Sequence, residues 1–248
     1  MGGLSVLREV RRLLPHEDLI YVADSAHCPY GGKPQPEIKR RAQAITTFLV
    51  HEQGAKQVVV ACNTATVAAV EELRATFEQP IVGMEPAVKP AAAATRNGVV
   101  GVLATGVTLA GSRFARLVER FGEGVEIITQ PCPGLVELVE AGDLRGQRTR
   151  DLVRAYVDAL LARGADTLVL GCTHYPFLRE LIAQVAGPDV ALIDPGPAVA
   201  RQVARVLEDN NLLDPGPGTT RFFTTGSDAQ EVIERLWGEP VGVSVIRV

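Results

Sequence analysis

The sequence predicts an α/β fold built on parallel sheets, and three observations carry that expectation. Short apolar runs alternate with longer amphipathic ones along the whole chain. The apolar runs are rich in Val and Ile with little polar alternation, as in strands covered on both faces. Aromatic residues are only 5% of the 248 residues, which suits close-packed helices on a parallel sheet better than an aromatic-rich β-sandwich.

Run length and period separate the elements. A helical pattern at Leu4–Leu14 presents Arg8, Arg11 and Arg12 as a solvated face, and the short run Leu19–Ala23 after it reads as a strand. A long amphipathic stretch, Glu37–Glu52, precedes the apolar run Val58–Ala61. Helix Ala65–Phe77 and strand Ile81–Met84 follow. The pattern resumes with strand Val99–Leu103, helix Ser112–Phe121, strand Val125–Ile128, and helices Gly134–Ala141 and Arg148–Ala162. Next come strand Leu168–Leu170, helix Pro176–Val185 and strand Val190–Ile193. Helix Ala198–Asp209, a weaker strand at Phe222–Phe223, helix Ala229–Trp237 and the apolar run Val241–Val248 complete the chain.

Hydrophobic residues at 46% and charged residues at 22% exclude a disordered or fibrous chain. The net charge is −4 and no long basic run occurs, so no nucleic-acid partner is expected. The longest uncharged stretch, Asn97–Ser112, has 16 residues. A membrane span needs about 20 mostly apolar ones, so no membrane partner is expected. The first residues show no basic region followed by an apolar stretch, which points to the cytoplasm and to reduced thiols. The four cysteines are Cys28, Cys62, Cys132 and Cys172. None forms C-x-x-C and no histidine lies at zinc-finger spacing, so no metal is expected.

A coarse internal repeat organises the chain. The block from Gly54 to Cys62 aligns without gaps with the block from Gly164 to Cys172, an offset of 110 positions. Upstream, Cys28-Pro29-Tyr30-Gly31 has a weaker counterpart in Cys132-Pro133-Gly134. A duplicated α/β unit follows, with two similar domains facing each other and a cysteine at the carboxyl end of a strand in each. Ligand crevices of open α/β sheets lie at such strand ends. The second half opens with a strand, Val99–Leu103, while the first opens directly with the helix at Leu4, so by analogy the first half lacks an opening strand and the turn after it.

The residues after these cysteines bear on their chemistry. Cys62-Asn63-Thr64-Ala65-Thr66 and Cys172-Thr173-His174-Tyr175-Pro176 each lead into a helix, with N-cap residue types and a proline suited to the first turn. A thiol there is expected to have its pKa lowered from about 8.5 by nearby backbone N–H groups and the helix dipole. The same N–H groups offer a cradle for a carboxylate. Two such thiols point to proton transfer on both faces of one carbon, a thiolate removing the proton and a thiol returning one. They are then expected to face each other across a cleft. The plain alternatives are two buried core cysteines, or a redox protein using one low-pKa thiol.

Four motifs occur in order: Gly2-Gly3-Leu4-Ser5-Val6-Leu7, Cys28-Pro29-Tyr30-Gly31, Cys62-Asn63-Thr64-Ala65 and Gly171-Cys172-Thr173-His174-Tyr175-Pro176. With Cys132-Pro133 and Glu140 between them, they resemble the glutamate racemases of the aspartate/glutamate racemase family across essentially the whole chain. The resemblance implies a cofactor-independent isomerase that interconverts L- and D-glutamate and supplies D-glutamate for peptidoglycan, hence cell-wall biogenesis and cell shape. It implies a homodimer that takes glutamate as its small-molecule substrate. It implies two pseudosymmetric three-layer α/β domains, 1–86 with 197–248 and 87–196, and an active site in the cleft between them. Cys62 and Cys172 then match the acid/base pair, His174 a histidine assisting the second cysteine, and Glu140 a carboxylate near the site. Asn63, Thr64, Thr173 and His174 match the groups that hold the substrate, and Tyr30 and Gly31 a substrate-binding pair.

Other readings of these residues stay open. Glu140 reads equally as a solvated helix residue, and His174 as a helix cap. Tyr30-Gly31 lies in a turn-forming stretch. Cys28 and Cys132, each before proline, read as structural. Asp24-Ser25 either reaches the cleft or caps a loop. The family pattern also begins with a strand ending in Asp-Ser-Gly before the Gly-Gly-Leu-Ser block, a segment this sequence does not contain. A racemase of another acidic amino acid such as aspartate, or a ligand-binding relative without catalysis, therefore stands beside the glutamate reading.

Overall fold

Every paired strand in the protein runs parallel to its neighbour, an arrangement that requires a crossover between successive strands. The computed structural model describes residues 1–248. By their contacts the residues divide into two compact units. The first comprises Met1, Gly3–Met84 and Gly196–Val248; the second comprises Glu85–Pro195, with Gly2 grouped alongside.

The first unit opens with α1 (Gly3–Leu13), β1 (Leu19–Ala23), α2 (Gln35–Thr47), β2 (Val58–Val59), α3 (Asn63–Thr76) and β3 (Ile81–Val82). The second holds α4 (Val88–Ala94), β4 (Val99–Ala104), α5 (Gly106–Ala110), α6 (Ser112–Phe121), β5 (Glu126–Pro131), α7 (Leu135–Glu140), α8 (Gln147–Leu161), β6 (Thr167–Leu170), α9 (Arg179–Ala186) and β7 (Ala191–Ile193). The chain then completes the first unit with α10 (Gly196–Asp209), β8 (Thr220–Thr224), α11 (Gln230–Trp237) and β9 (Val243–Val245).

In the first unit β1 pairs with β8, from Leu19 opposite Thr220 to Ala23 opposite Thr224, and β9 lies on the far side of β8. Strands β2 and β3 form a separate pair. In the second unit the order is β5-β4-β6-β7. Strand β4 is buried from Val100 to Ala104 and β6 along its whole length, as central parallel strands should be.

The apolar stripes of the helices cover these strands. Val6 and Val10 of α1 meet Val82, Met84 and the Val199, Val203 and Leu207 face of α10. In the second unit Val100 and Val102 of β4 and Val169 of β6 pack with Val88 and Ala91 of α4 and Phe114 of α6. Each fully buried Val, Leu or Phe contributes roughly 1.5–3 kcal/mol of apolar burial.

The parallel α/β class is as expected, and four details differ. Helices α4 and α5 have no counterpart in the sequence reading, because the run Val88-Lys89-Pro90-Ala91 carries a proline and α5 is only five residues long. The stretch expected as one helix to Glu52 is α-helical only to Thr47 and then widens into a π-turn over Phe48–Glu52. The helix expected from Pro176 begins as a 3-10 turn at Tyr175–Leu178, and α9 starts at Arg179. Of the last apolar run only Val243–Val245 pairs as a strand.

Candidate active site

In the first unit, Cys62 follows the end of β2 and is itself the N-cap of α3. Its backbone is extended (φ −153°, ψ 123°), and Sγ accepts the N–H of Ala65 at 3.4 Å. The cap is therefore the cysteine, with Asn63 and Thr64 already in the helix, where the sequence suggested that Asn or Thr would take that place. Thr66 fixes this junction: Oγ1 donates to the Val60 carbonyl at 3.2 Å and accepts the Met84 N–H at 3.1 Å. Asn63 and Thr64 are both buried.

The thiol of Cys62 is pushed up in pKa, the reverse of the sequence expectation. Burial disfavours the thiolate and outweighs the stabilising bonds from the N–H groups of Ala65 and Thr64. Part of the residue's surface stays open, yet the sulfur sits deep among protein atoms, packed with Tyr30, Ile38, Ala65 and Ala68. Cys62 is therefore held as a neutral thiol.

Tyr30 and Gly31 lie in a 3-10 turn over Tyr30–Gly32, after a cis peptide bond between Cys28 and Pro29. The Tyr30 hydroxyl donates to Asp24 Oδ2 at 2.5 Å. Asp24 follows β1 and also accepts from Arg41 (Nη2 at 2.7 Å, Nε at 3.0 Å) and from the Thr225 hydroxyl at 2.8 Å, with His27 Nδ1 at 3.0 Å. Burial raises the Asp24 pKa, but the bonds from Arg41, Tyr30 and Thr225 prevail and bring it down to about 2. The phenol of Tyr30 is pushed up, first by burial and then by the Asp24 charge. Tyr30 is thus a neutral donor whose orientation is set by a permanently charged carboxylate.

In the second unit, Cys172 follows β6 by one residue. Gly171 passes so close to β4 that its N–H donates to the Leu103 carbonyl at 2.7 Å. The Cys172 carbonyl accepts the Tyr175 N–H at 3.0 Å, which starts the 3-10 turn. Cys172, Thr173 and His174 are all buried. His174 Nδ1 lies 3.5 Å from Cys172 Sγ, and Nε2 lies 2.5 Å from Glu140 Oε1 at the last residue of α7. Burial lowers the His174 pKa and the Glu140 bond only partly opposes it. Burial raises Glu140, but the His174 bond and the local charge outweigh it, holding the carboxyl at about 2. The pair is a carboxylate beside a neutral imidazole. Nε2 lies against both Glu140 Oε1 and the Gly2 N–H, the latter at 3.1 Å, while Nδ1 faces the thiol of Cys172.

The structure therefore gathers Cys62, Asn63, Thr64, Tyr30 and Gly31 in one unit, and Cys172, Thr173, His174 and Glu140 in the other. Glu140 is not a solvated helix residue: its side chain is only 16% exposed. His174 makes no capping bond with its side chain. Cys132 is buried, its thiol donates to the Gln130 carbonyl at 3.2 Å, and burial pushes its pKa up to about 12, as befits a structural residue.

A family model for Asp/Glu/hydantoin racemases matches residues 3–203. The chain belongs to that family. Racemases are isomerases, and the relatives within the family narrow the comparison. A glutamate racemase of Pseudomonas putida is 58% identical over 241 residues, covering 96% of this chain and 91% of its own. One from Pseudomonas aeruginosa is 54% identical over 252 residues, covering 100% of this chain and 95% of its own. Among solved structures, Escherichia coli glutamate racemase in complex with L-glutamate and the activator UDP-MurNAc-Ala superposes with a TM-score of 0.87. It is 35% identical and the match covers 100% of this chain and 96% of that one. Glutamate racemase from Francisella tularensis in complex with D-glutamate gives 0.84 at 27% identity, covering 100% and 94%. No helix in this family member is long and apolar enough to cross a membrane.

Sequence reasoning singled out neither Arg41 nor the bond that joins it to Asp24. The two lie 17 positions apart with no shared motif, and only the fold brings them together.

Proposed function

We propose that this protein interconverts L- and D-glutamate without a cofactor, by proton transfer at the α-carbon through Cys62 and Cys172. The observation that carries the reading is a matched pair of thiols. Each follows a parallel strand in its own unit and is contacted by a different kind of proton partner, helix N–H groups at Cys62 and an imidazole at Cys172. In one direction His174 Nδ1 takes the Cys172 proton, and the thiolate removes the α-proton from one face. The neutral Cys62 thiol returns a proton from the other face. Each such turnover leaves an imidazolium at His174 and a thiolate at Cys62, and passage of one proton between them through solvent restores the starting state; from the opposite enantiomer the Cys62 thiolate is the base and the Cys172 thiol the acid.

Asn63, Thr64 and Thr173 hold the substrate's carboxylates and ammonium in this reading, while Tyr30 and Gly31 flank it. Neutralising the α-carboxylate by hydrogen bonds stabilises the carbanion as charge develops. The identities to glutamate racemases support glutamate as the substrate. We place the enzyme in the cytoplasm as a homodimer that supplies D-glutamate to peptidoglycan.

The test is to incubate the protein with L-glutamate in deuterium oxide, following loss of optical activity and deuterium entry at the α-carbon. Cys62→Ser and Cys172→Ser should each lower racemisation by about 1,000-fold or more, since every turnover uses both groups. Wild-type turnover in either variant would refute the two-thiol mechanism. No turnover of glutamate by the parent protein would refute the substrate.

A further inference from the structure

Strand β2 delivers Cys62 past a gap in its own ladder. The Val58 N–H donates to the Pro80 carbonyl at 3.0 Å and the Val60 N–H to the Val82 carbonyl at 2.8 Å, as successive rungs of a parallel pair do. The next rung would carry the Met84 N–H to the Val60 carbonyl. Instead the Thr66 hydroxyl stands between them: Oγ1 accepts the Met84 N–H at 3.1 Å and donates to the Val60 carbonyl at 3.2 Å. A relay through an oxygen holds the two strand ends farther apart than a direct bond of about 2.9 Å does. The pairing of β2 with β3 accordingly ends at Val59 opposite Val82, three residues before Cys62.

The same residue grips Cys62 from the helix side. The Thr66 N–H donates to the Cys62 carbonyl at 2.9 Å, in the first turn of α3. Thr66 is fully buried, so both partners of its hydroxyl are backbone groups and no water substitutes for it. Its room depends on Gly83, where a Cβ would lie 2.8 Å from Thr66 Cγ2. The second unit lacks the device. Four residues after Cys172 stands Pro176, which has no hydroxyl, and the Gly171 N–H bonds the Leu103 carbonyl directly at 2.7 Å.

We propose that Thr66 is a positioning residue for Cys62: its hydroxyl replaces one rung of the β2–β3 ladder and thereby sets where the strand end presents the sulfur. The role in turnover rests on the acid/base reading of Cys62 given above. Without the hydroxyl the strand end either closes onto β3 to form the direct rung, or leaves two buried backbone groups unpaired. Both outcomes move or free the thiol, and a displacement of about 1 Å can cost roughly 100-fold in rate.

The test compares Thr66→Val, which keeps the branched shape without the hydroxyl, Thr66→Ala, which removes it and leaves room, and Thr66→Ser, which retains it. The first readout needs no glutamate: alkylation of each cysteine by iodoacetamide in the folded protein, followed by peptide mass. Loss of the hydroxyl should speed reaction at Cys62 by about 10-fold or more, leave the buried Cys132 unchanged, and be largely reversed in Thr66→Ser. The second readout is racemisation. The kcat for glutamate should fall by about 10–100-fold with KM little changed. With α-deuterated substrate, the isotope effect on kcat/KM should rise for the enantiomer from which Cys62 takes the proton and fall for the other. Parent-like alkylation of Cys62 in both hydroxyl-free variants would overturn the proposal. So would an equal rise at Cys132, which reports general unfolding, isotope effects that shift alike in both directions, or no recovery in Thr66→Ser. Faster alkylation of Cys62 in a protein whose parent form does not racemise glutamate would refute the reading of the reaction and uphold the hold on Cys62.

Discussion

Glu140 holds the His174 ring in place: Oε1 lies 2.5 Å from Nε2, and the ring turns Nδ1 toward Cys172 Sγ at 3.5 Å. The relationship is electrostatic as well as geometric, because the carboxylate stays charged while burial keeps the imidazole neutral. Replacing Glu140 by Gln leaves the volume and removes the charge. Racemisation is expected to fall by roughly 100-fold, within the usual range for loss of acid/base assistance, and the melting temperature at neutral pH to fall with it, since the buried carboxylate contributes stability there. Glu140→Asp should recover part of the rate. Steady-state kinetics in both directions checks this, and a full wild-type rate in the Gln variant would exclude an orienting role.

The Asp24–Arg41 pair is buried on both sides, with side chains 8% and 7% exposed. Asp24→Ala strands the guanidinium and releases Tyr30. Loss of one partner of a buried pair costs about 3–5 kcal/mol, which denaturant unfolding would read directly. Tyr30→Phe keeps the ion pair and removes one hydrogen bond to the charged carboxylate, so its stability cost should be smaller, about 1.5–3 kcal/mol.

Gly171 tolerates no side chain. A Cβ there would sit 2.7 Å from the Leu103 carbonyl oxygen, a backbone atom in the middle of the sheet. Gly171→Ala should cost about 1–3 kcal/mol and displace Cys172. The kinetic signature is a fall in kcat for glutamate larger than the loss of folded protein explains.

Acid should weaken the fold in a defined window. Asp24 and Glu140 both titrate near 2 in the native state, against ordinary values of 3.8 and 4.5. Between those limits the unfolded chain binds more protons, so the stability they contribute is present above about 4.5 and lost as pH falls toward 2. His174, its pKa lowered by burial, adds a further loss beginning below 6.5. Unfolding free energies from pH 7 to 3 should follow this curve, and Glu140→Gln should flatten its acid limb.

The alternation of apolar runs with amphipathic helices sufficed to identify parallel α/β architecture, because buried strands have a period that survives in sequence. The same reasoning passed over α4, whose alanines carry no amphipathic stripe, and α5, too short for a period to register. It located Cys62 and Cys172 through the repeat, since both end blocks of similar sequence, Gly54–Cys62 and Gly164–Cys172. The titration of Cys62 escaped it. A helix N-terminus is visible in sequence, but the burial that outweighs its effect depends on Tyr30 and Ile38, which arrive from other segments. The Asp24 network escaped it for the same reason, being assembled from residues 24, 30, 41 and 225.

Strand β1 finds its partner β8 late. Leu19 pairs with Thr220, so the ribosome must add about 200 residues after the first strand before the second exists. At roughly 5–20 residues per second that is a wait of about 10–40 seconds. The intervening unit, Glu85–Pro195, is continuous in sequence and can complete its own four-stranded sheet during that time. Newly made chains can thus carry a completed insert tethered to a half-built host, whose apolar β1 edge is open to chaperones and to neighbouring nascent chains until Thr220–Thr224 emerges to pair with it.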